Sequence, residues 1–231
     1  MGTLVDKHIL IVGGSSGIAA RVAEDAAAAG AHVVVAGRDP SRISAGGVTT
    51  ARVDLTDEAS IAALAATLER VDHLVVAGAA HANGPVAGLD RDAVHRAFDV
   101  KVIGPVLLVK HLGAKLAAGG SVVLFSGVAA SRPAPGLSMM AVTNAAVSTL
   151  VAALALELAP VRVNAVSPGI VDSGAWDARP DKDDFLAGVA GSLPAGRVGT
   201  TADVSAAVLA LLTNGFITGT TVHVDGGGSL V

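Results

Sequence analysis

The sequence predicts an α/β fold on a parallel sheet, and three observations carry that prediction. Short β-branched runs alternate with longer alanine-rich stretches, the pattern of repeated strand–helix–strand units. The strand-like runs are almost continuously apolar rather than alternating, as in strands covered on both faces. The 231 residues are 52% hydrophobic but only 2% aromatic, so the core rests on alanine, valine and leucine, which suit close helix-on-sheet packing. With no internal repeat or low-complexity linker, the chain reads as one domain of residues 1–231.

Taken in order, His8–Val12 is the first strand and Gly17–Ala29 the first helix. Between them, Val12-Gly13-Gly14-Ser15-Ser16-Gly17-Ile18-Ala19 supplies glycines at a strand end. There the backbone turns tightly and approaches a pyrophosphate, which sits against the free N–H groups of the helix. The alternative is a purely structural turn, but a position in the first strand–helix–strand unit favours dinucleotide binding, with Gly13, Ser15, Ser16, Gly17 and Ile18 as cofactor contacts. The second strand, His32–Ala36, ends in Gly37-Arg38-Asp39. A free ribose 2′-hydroxyl wants a carboxylate about 20 residues past the glycines, and a 2′-phosphate wants an arginine. Gly37 leaves the carboxylate place empty and Arg38 supplies the cation; the alternative is a turn arginine neutralised by Asp39. Strands follow at Val48–Val53, His73–Ala77, Ser121–Ser126, Val161–Val166 and Thr221–Val224, and helices at Asp57–Arg70, Arg91–Leu116, Ser138–Leu158 and Thr201–Thr213.

Composition excludes several functions. Net charge is −4 without a basic cluster, which argues against nucleic acid. No cysteine is present, so there is no disulfide, thiolate metal site or cysteine nucleophile. No His, Asp or Glu spacing suggests a metal. The segment Met1–Lys7 carries Asp6 and runs into a strand, unlike a signal peptide. The most apolar stretch, Ala145–Ala159, is shorter than the ~20 residues a bilayer needs, so a soluble cytoplasmic protein is expected. The helices at 91–116 and 138–158 lack a continuous polar stripe, so each needs cover on both sides. One side covers the sheet, and another subunit is the simplest cover for the other, giving a homo-oligomer.

Further motifs give these features a family setting. Arg162-Val163-Asn164-Ala165-Val166-Ser167-Pro168-Gly169, then Gly196-Arg197-Val198-Gly199, Ile217-Thr218-Gly219 and Val224-Asp225-Gly226-Gly227, together with the glycine turn, make the chain resemble the short-chain dehydrogenase/reductases from end to end. The resemblance implies a Rossmann fold with a doubly wound seven-stranded parallel sheet, helices on both faces, and tetrameric assembly. It favours NADP(H), since Gly37-Arg38 is a common signature for it. It assigns Asp54 and Leu55 to the adenine ring, Ala77 and Gly78 to the end of the fourth strand, Pro168, Gly169 and Ile170 to the nicotinamide, and Ser173 to its carboxamide.

The resemblance breaks at the chemistry. The chain contains no tyrosine. The family's tyrosine gives or takes the substrate proton, its serine bonds the carbonyl oxygen, and its lysine lowers the tyrosine pKa and grips the ribose. These positions hold Met140, Gly127 and Asn144, and the family's helix asparagine corresponds to Lys101. The Asn-Asn-Ala-Gly of the fourth strand is Val76-Ala77-Gly78-Ala79 here. Loss of a general acid costs ~10²–10⁴ in rate and of an oxyanion donor ~10²–10³. Three substitutes are available. His81 follows the fourth strand. Ser126 is one place early and, by strand alternation, faces the other way. Ser138 begins a helix and either faces substrate or caps it. His8, His32 and His73 lie at strand starts, away from the site. Trp176 lies in the segment resembling a substrate lid. Exchange of lysine and asparagine between helices leaves two readings: Lys101 and Asn144 converge on the crevice, or Lys101 points to solvent and the exchange is coincidence. Three functions follow: an atypical NADP(H)-dependent oxidoreductase acting on a small molecule that is already protonated, such as an iminium; a non-catalytic regulator or partner subunit; and a non-redox enzyme.

Overall fold

The computed structural model describes residues 3–13, 15–43 and 45–231. Its strands are β1 (His8–Val12), β2 (His32–Gly37), β3 (Thr49–Arg52), β4 (Val71–Val76), β5 (Leu116–Phe125), β6 (Arg162–Pro168), β7 (Val171–Asp172), β8 (Gly199–Thr200) and β9 (Thr221–Val224). Seven of them form one sheet in the order β3-β2-β1-β4-β5-β6-β9, every neighbouring pair parallel. The helices are α1 (Gly17–Ala28), α2 (Glu58–Thr67), α3 (Arg91–Phe98), α4 (Gly104–Leu112), α5 (Ser138–Glu157), α6 (Lys182–Ser192) and α7 (Thr201–Thr213).

Strand alternation divides the core in two. On one face Leu10, Leu74, Val122, Leu124 and Val163 pack with Ile61 of α2, Leu108 and Leu112 of α4, and Val147 and Val151 of α5. On the other, Ile9, Ile11, Val35, Val75 and Val123 pack with Val22 of α1 and Val204, Val208 and Leu211 of α7. The chain leaves β1 toward β2 on one side and reaches β4 on the other, so the direction of winding reverses between β1 and β4. Ligands of such sheets bind beyond the strands' C-terminal ends at that reversal.

The helix expected over 91–116 is corrected. It divides into α3, a wide π turn at Asp99–Ile103 and α4, and Leu116 already belongs to β5. Pro105 has no N–H to continue the ladder, and Gly113, at φ +31°, ends α4. The apolar stretch inside α5 also needs correction. The helix is 20 residues long and, by length and composition, is the one described helix that suffices to cross a bilayer. Here Ala141, Asn144, Val147, Val151 and Leu154 are buried along it, the pattern of a helix laid on a sheet. Two features were absent from the sequence reading, the β7–β8 pair and α6. Residues 173–199 are rich in Gly, Pro and Asp, and α6 has no fully buried residue, so no apolar stripe marks it. Its presence also supplies a helix that the argument for an oligomer left out, yet Val142 remains 46% and Leu156 85% exposed.

At the opposite end of the sheet, His8 and His32 are in-register partners with rings 5.1 Å apart. His73 shares a 2.9 Å hydrogen bond between its Nδ1 and Ser121 Oγ; burial pushes its pKa down to about 4. All three lie away from the crevice.

Candidate functional site

The crevice begins where β1 ends. Gly13 has φ +91°, a backbone region in which L side chains are strained. Its N–H donates to the carbonyl of Ala36 at 2.8 Å, and the N–H of Ala77 donates to Val12 at 2.9 Å. A Cβ on Gly13 would lie 2.7 Å from the amide nitrogen of Gly78, and one on Gly78 would lie 2.8 Å from Leu55 Cδ1. Gly13, Ala77, Gly78 and Leu55 are thus stacked into one wall. Ser15 and Ser16 are exposed, and Ser16, the N-cap of α1, makes no side-chain capping bond. The first-turn amides of α1 therefore have no cap oxygen, as an anion-receiving helix end requires. Ile18 packs on the core from α1. Gly14 lies outside the described residues.

The far wall comes from the segment after β6. A Cβ on Gly17 would lie 3.0 Å from the carbonyl oxygen of Ser173, so Ser173 stands over the start of α1. Pro168 ends β6, Gly169 donates to Val224 at 3.1 Å, and Ile170 accepts from Gly199 at 2.9 Å. Trp176 Nε1 donates to the carbonyl of Val171 at 2.9 Å. Its ring lies 4.9 Å from that of Phe185, over which the Arg179 guanidinium sits at 4.3 Å. Trp176 thereby ties its own segment to β7 and α6.

Beyond β2, Arg38 is exposed and forms no salt bridge among the described residues. Asp39 is occupied by its own turn: its Oδ1 accepts from Ser41 Oγ at 2.6 Å and from Ser41 N at 3.1 Å. The expected alternative, neutralisation of Arg38 by Asp39, is not the arrangement found. Asp54 accepts from Thr56 N at 3.0 Å and Thr56 Oγ1 at 2.9 Å. Those bonds, and then the charges of Arg38 and Arg52, hold its carboxyl below the usual range. Arg52 was not singled out from the sequence, although its place two residues before Asp54 marks it. These features suit a dinucleotide: a close backbone turn, an uncapped helix start, an apolar wall at Leu55 and a cation where a carboxylate is missing.

The remaining candidate residues gather at the C-terminal tip of β5. Lys101, on the π turn, donates from Nζ to the carbonyl of Phe125 at 2.7 Å and of Ser126 at 3.2 Å. Ser126 is turned inward, its Oγ donating to the backbone carbonyl of Asn144 at 2.9 Å, and the residue is buried. Asn144 is 4% exposed. A Cβ on Gly127 would lie 2.8 Å from Asn144 Nδ2, so the asparagine amide fills space a side chain would take. Its Oδ1 is buried without a hydrogen-bond partner, as is Ser138 Oγ. Ser138 is not the cap, because Leu137 holds that position. Lys101 meets the carbonyls of Phe125 and Ser126, whereas Asn144 meets Ser126 through its backbone carbonyl and places its side-chain amide beside Gly127. Met140 is partly buried one turn before Asn144. His81 is exposed; its pKa is lowered by partial loss of water and then by the Lys101 charge, which puts the two within electrostatic reach. No cluster of three or more His, Asp or Glu side chains able to hold a metal occurs among the described residues.

Loss of water around Lys101 lowers its pKa from 10.5 to about 8. The unfolded chain therefore holds this proton over a window in which the folded one releases it, so stability should rise with pH between about 8 and 10.5. With no tyrosine and no cysteine in the chain, only other lysines and the amino terminus titrate nearby. Urea melts across that window should show the rise, and Lys101→Met should flatten it. A flat wild-type profile would place the ammonium in water.

With this geometry described, the comparisons are specific. Residues 12–229 match the family model described as Enoyl-(Acyl carrier protein) reductase. Galactitol 2-dehydrogenase of Agrobacterium fabrum is 32% identical, over 97% of this chain and 98% of its own. Among solved structures, a small-chain dehydrogenase in complex with NADPH is 31% identical with a TM-score of 0.83, covering 98% of this chain and 100% of its own. The MalC Reductase/Diels-Alderase of Malbranchea aurantiaca is 27% identical with a TM-score of 0.91, covering 99% of this chain and 98% of its own. The sheet order, the glycine turn and these matches along nearly the whole length agree: the chain belongs to the short-chain dehydrogenase/reductase family.

Proposed function

We propose that this protein is an NADP(H)-dependent oxidoreductase that acts without a catalytic tyrosine and lacks the family's serine–tyrosine–lysine set. The observation that carries the reading is the Lys101 ammonium: it is fixed at the tip of β5 by two carbonyls and titrates at about 8, close to the range useful for proton transfer. When bound, NADP(H) supplies or accepts a hydride. Gly13, Ser15, Ser16 and Gly17 would hold its pyrophosphate, Arg38 its 2′-phosphate, Asp54 and Leu55 its adenine, and Ala77, Gly78, Pro168, Gly169, Ile170 and Ser173 the nicotinamide end. The similar NADPH-bound dehydrogenase and the empty carboxylate position at Gly37 support this choice. Lys101, with the Asn144 amide packed behind it at Gly127, would orient a small molecule at the tip of β5, within electrostatic reach of His81. A substrate already carrying its proton, an iminium, would need no donor at Met140, in the tyrosine's place, and Lys101 would serve it only as the neutral amine, which its lowered pKa brings within reach.

One observation favours a second reading, a cofactor-binding regulator or partner subunit: two of the three Lys101 N–H groups are already engaged with main chain. A non-redox enzyme on this scaffold gains support from the similar reductase/Diels-Alderase, whose name joins reduction to a cycloaddition. The test has two arms. Titration with both reduced cofactors, followed through Trp176, should favour NADPH, and Arg38→Ala should weaken that preference by ~1–3 kcal/mol. Equal binding of both, or of neither, counts against it. NADPH oxidation with cyclic iminiums but not with ketones supports the enzyme, and binding without any turnover supports the regulator.

The remaining surface supports assembly. Ile103 and Val142 are each 46% exposed and Leu156 85%, on helices that already cover the sheet with their other sides. A soluble homotetramer using the π turn, α4 and α5 is the proposal. Sedimentation at micromolar concentration should give a single oligomeric species; monomer alone would overturn it.

A further inference from the structure

We infer that Arg52 is a second cation for the cofactor's 2′-phosphate, acting beside Arg38; the inference rests on the NADP(H) reading above. Gly37 and Arg52 are in-register partners of the parallel strands β2 and β3. Such partners lie about 4.8 Å apart and project to the same face. That face is fixed by their neighbours. Ala36 and Val53 are buried in the cluster under α2, α4 and α5, with Ala51 packed against it, so Gly37 and Arg52 belong to the face that carries α1 and the glycine turn. The space left by the missing Gly37 side chain is open, its nearest atom being Ile43 Cδ1 at 3.9 Å. Arg52 therefore flanks the place where a cofactor with a free 2′-hydroxyl would want a carboxylate.

Charge gives the second argument. A phosphate monoester carries about −1.5 to −2 charges near neutrality, which one guanidinium does not balance. Arg38 and Arg52 are both exposed and neither forms a salt bridge among the described residues. Both lie within electrostatic reach of Asp54, whose carboxyl is held mainly by Thr56. The simpler role for Arg52 is a solvated charge that guards an edge strand. The two roles differ in whether the residue senses the phosphate.

The experiment uses the full chain, with Trp176 emission and calorimetry as readouts and NADPH, NADH, adenosine 2′,5′-bisphosphate and 5′-AMP as probes. Arg52→Ala should weaken NADPH and the bisphosphate about tenfold, the scale of one charge-assisted hydrogen bond, and leave NADH and AMP unchanged. Arg52→Lys should keep part of the difference, and the salt dependence of NADPH binding should become shallower in the alanine variant. Should the alanine variant melt early, Arg52→Gln retains the stem and repeats the test. Wild-type NADPH affinity in both neutral variants, with wild type still preferring NADPH, overturns the Arg52 role and spares the cofactor reading. Equal weakening of all four probes also overturns it, as a structural effect. A wild type without preference for NADPH overturns both.

Discussion

Gly13→Ala is expected to cost about 2–6 kcal/mol of stability and to abolish dinucleotide binding. A methyl there would meet the amide nitrogen of Gly78 at 2.7 Å and its Cα at 2.9 Å. Both are backbone atoms of the residue that follows Ala77, whose N–H donates to Val12 at 2.9 Å just past the β1–β4 ladder, so neither yields like a side chain. Alanine at φ +91° adds about 1–3 kcal/mol of strain, and forced overpacking a similar about 1–3. Chemical denaturation measures the loss. Gly188→Ala is the control: it lies inside α6 with nothing within 4 Å of the added methyl, and should be neutral or stabilising by about 0.5–1 kcal/mol. Wild-type stability in Gly13→Ala would mean that β1 and β4 do not approach so closely.

A second large effect is expected at Arg162, which is 8% exposed and has no carboxylate partner among the described residues. Its guanidinium donates to the carbonyls of Leu211 at 2.7 Å, Leu212 at 2.8 Å and Ile217 at 3.2 Å. The first two belong to the last turn of α7, whose carbonyls have no partner within the helix and whose dipole favours a cation. Burial lowers the arginine's pKa, but so strong a base stays charged. Arg162→Met should therefore leave buried carbonyls unpaired and cost about 3–5 kcal/mol. Arg162→Lys should recover less than half, since an ammonium lacks the planar fork. A thermal shift comparable to that of an exposed arginine such as Arg91 would refute the capping role.

The strands and the cofactor turn were legible because their signals are local. An unbroken apolar run such as Ile9–Val12 has few alternatives, and glycines after it mark a turn wherever they occur. The π turn was not legible: its cause, Pro105 without an amide, reads only as an ordinary early-helix proline. Leu116–Ala118 has helix-forming residues, and pairing of Leu116 with Val71 overrides that preference. At the site, composition showed the missing tyrosine directly, but not that Ser126 turns inward to Asn144 or that Asn144 fills the space beside Gly127. Those facts depend on which helix faces which strand. Arg52 was hidden for the same reason, since strand register alone sets it beside Gly37.

The π turn at Asp99–Ile103 has a consequence for how this chain tolerates change in length. An α-helix advances about 100° per residue, and the wide turn absorbs one residue beyond that count. Deleting any one residue between 99 and 103 would let α3 and α4 merge into an unbroken rod. The flanking faces would keep their register, because the deleted residue is the one the wide turn absorbs, and Leu108 and Leu112, now fully buried, would stay on the sheet. Single-codon deletions here should therefore spare the core and instead shift Lys101 off the carbonyls at the tip of β5. In a lineage descended from this chain, the lysine and the extra residue beneath it would be kept or lost as one unit.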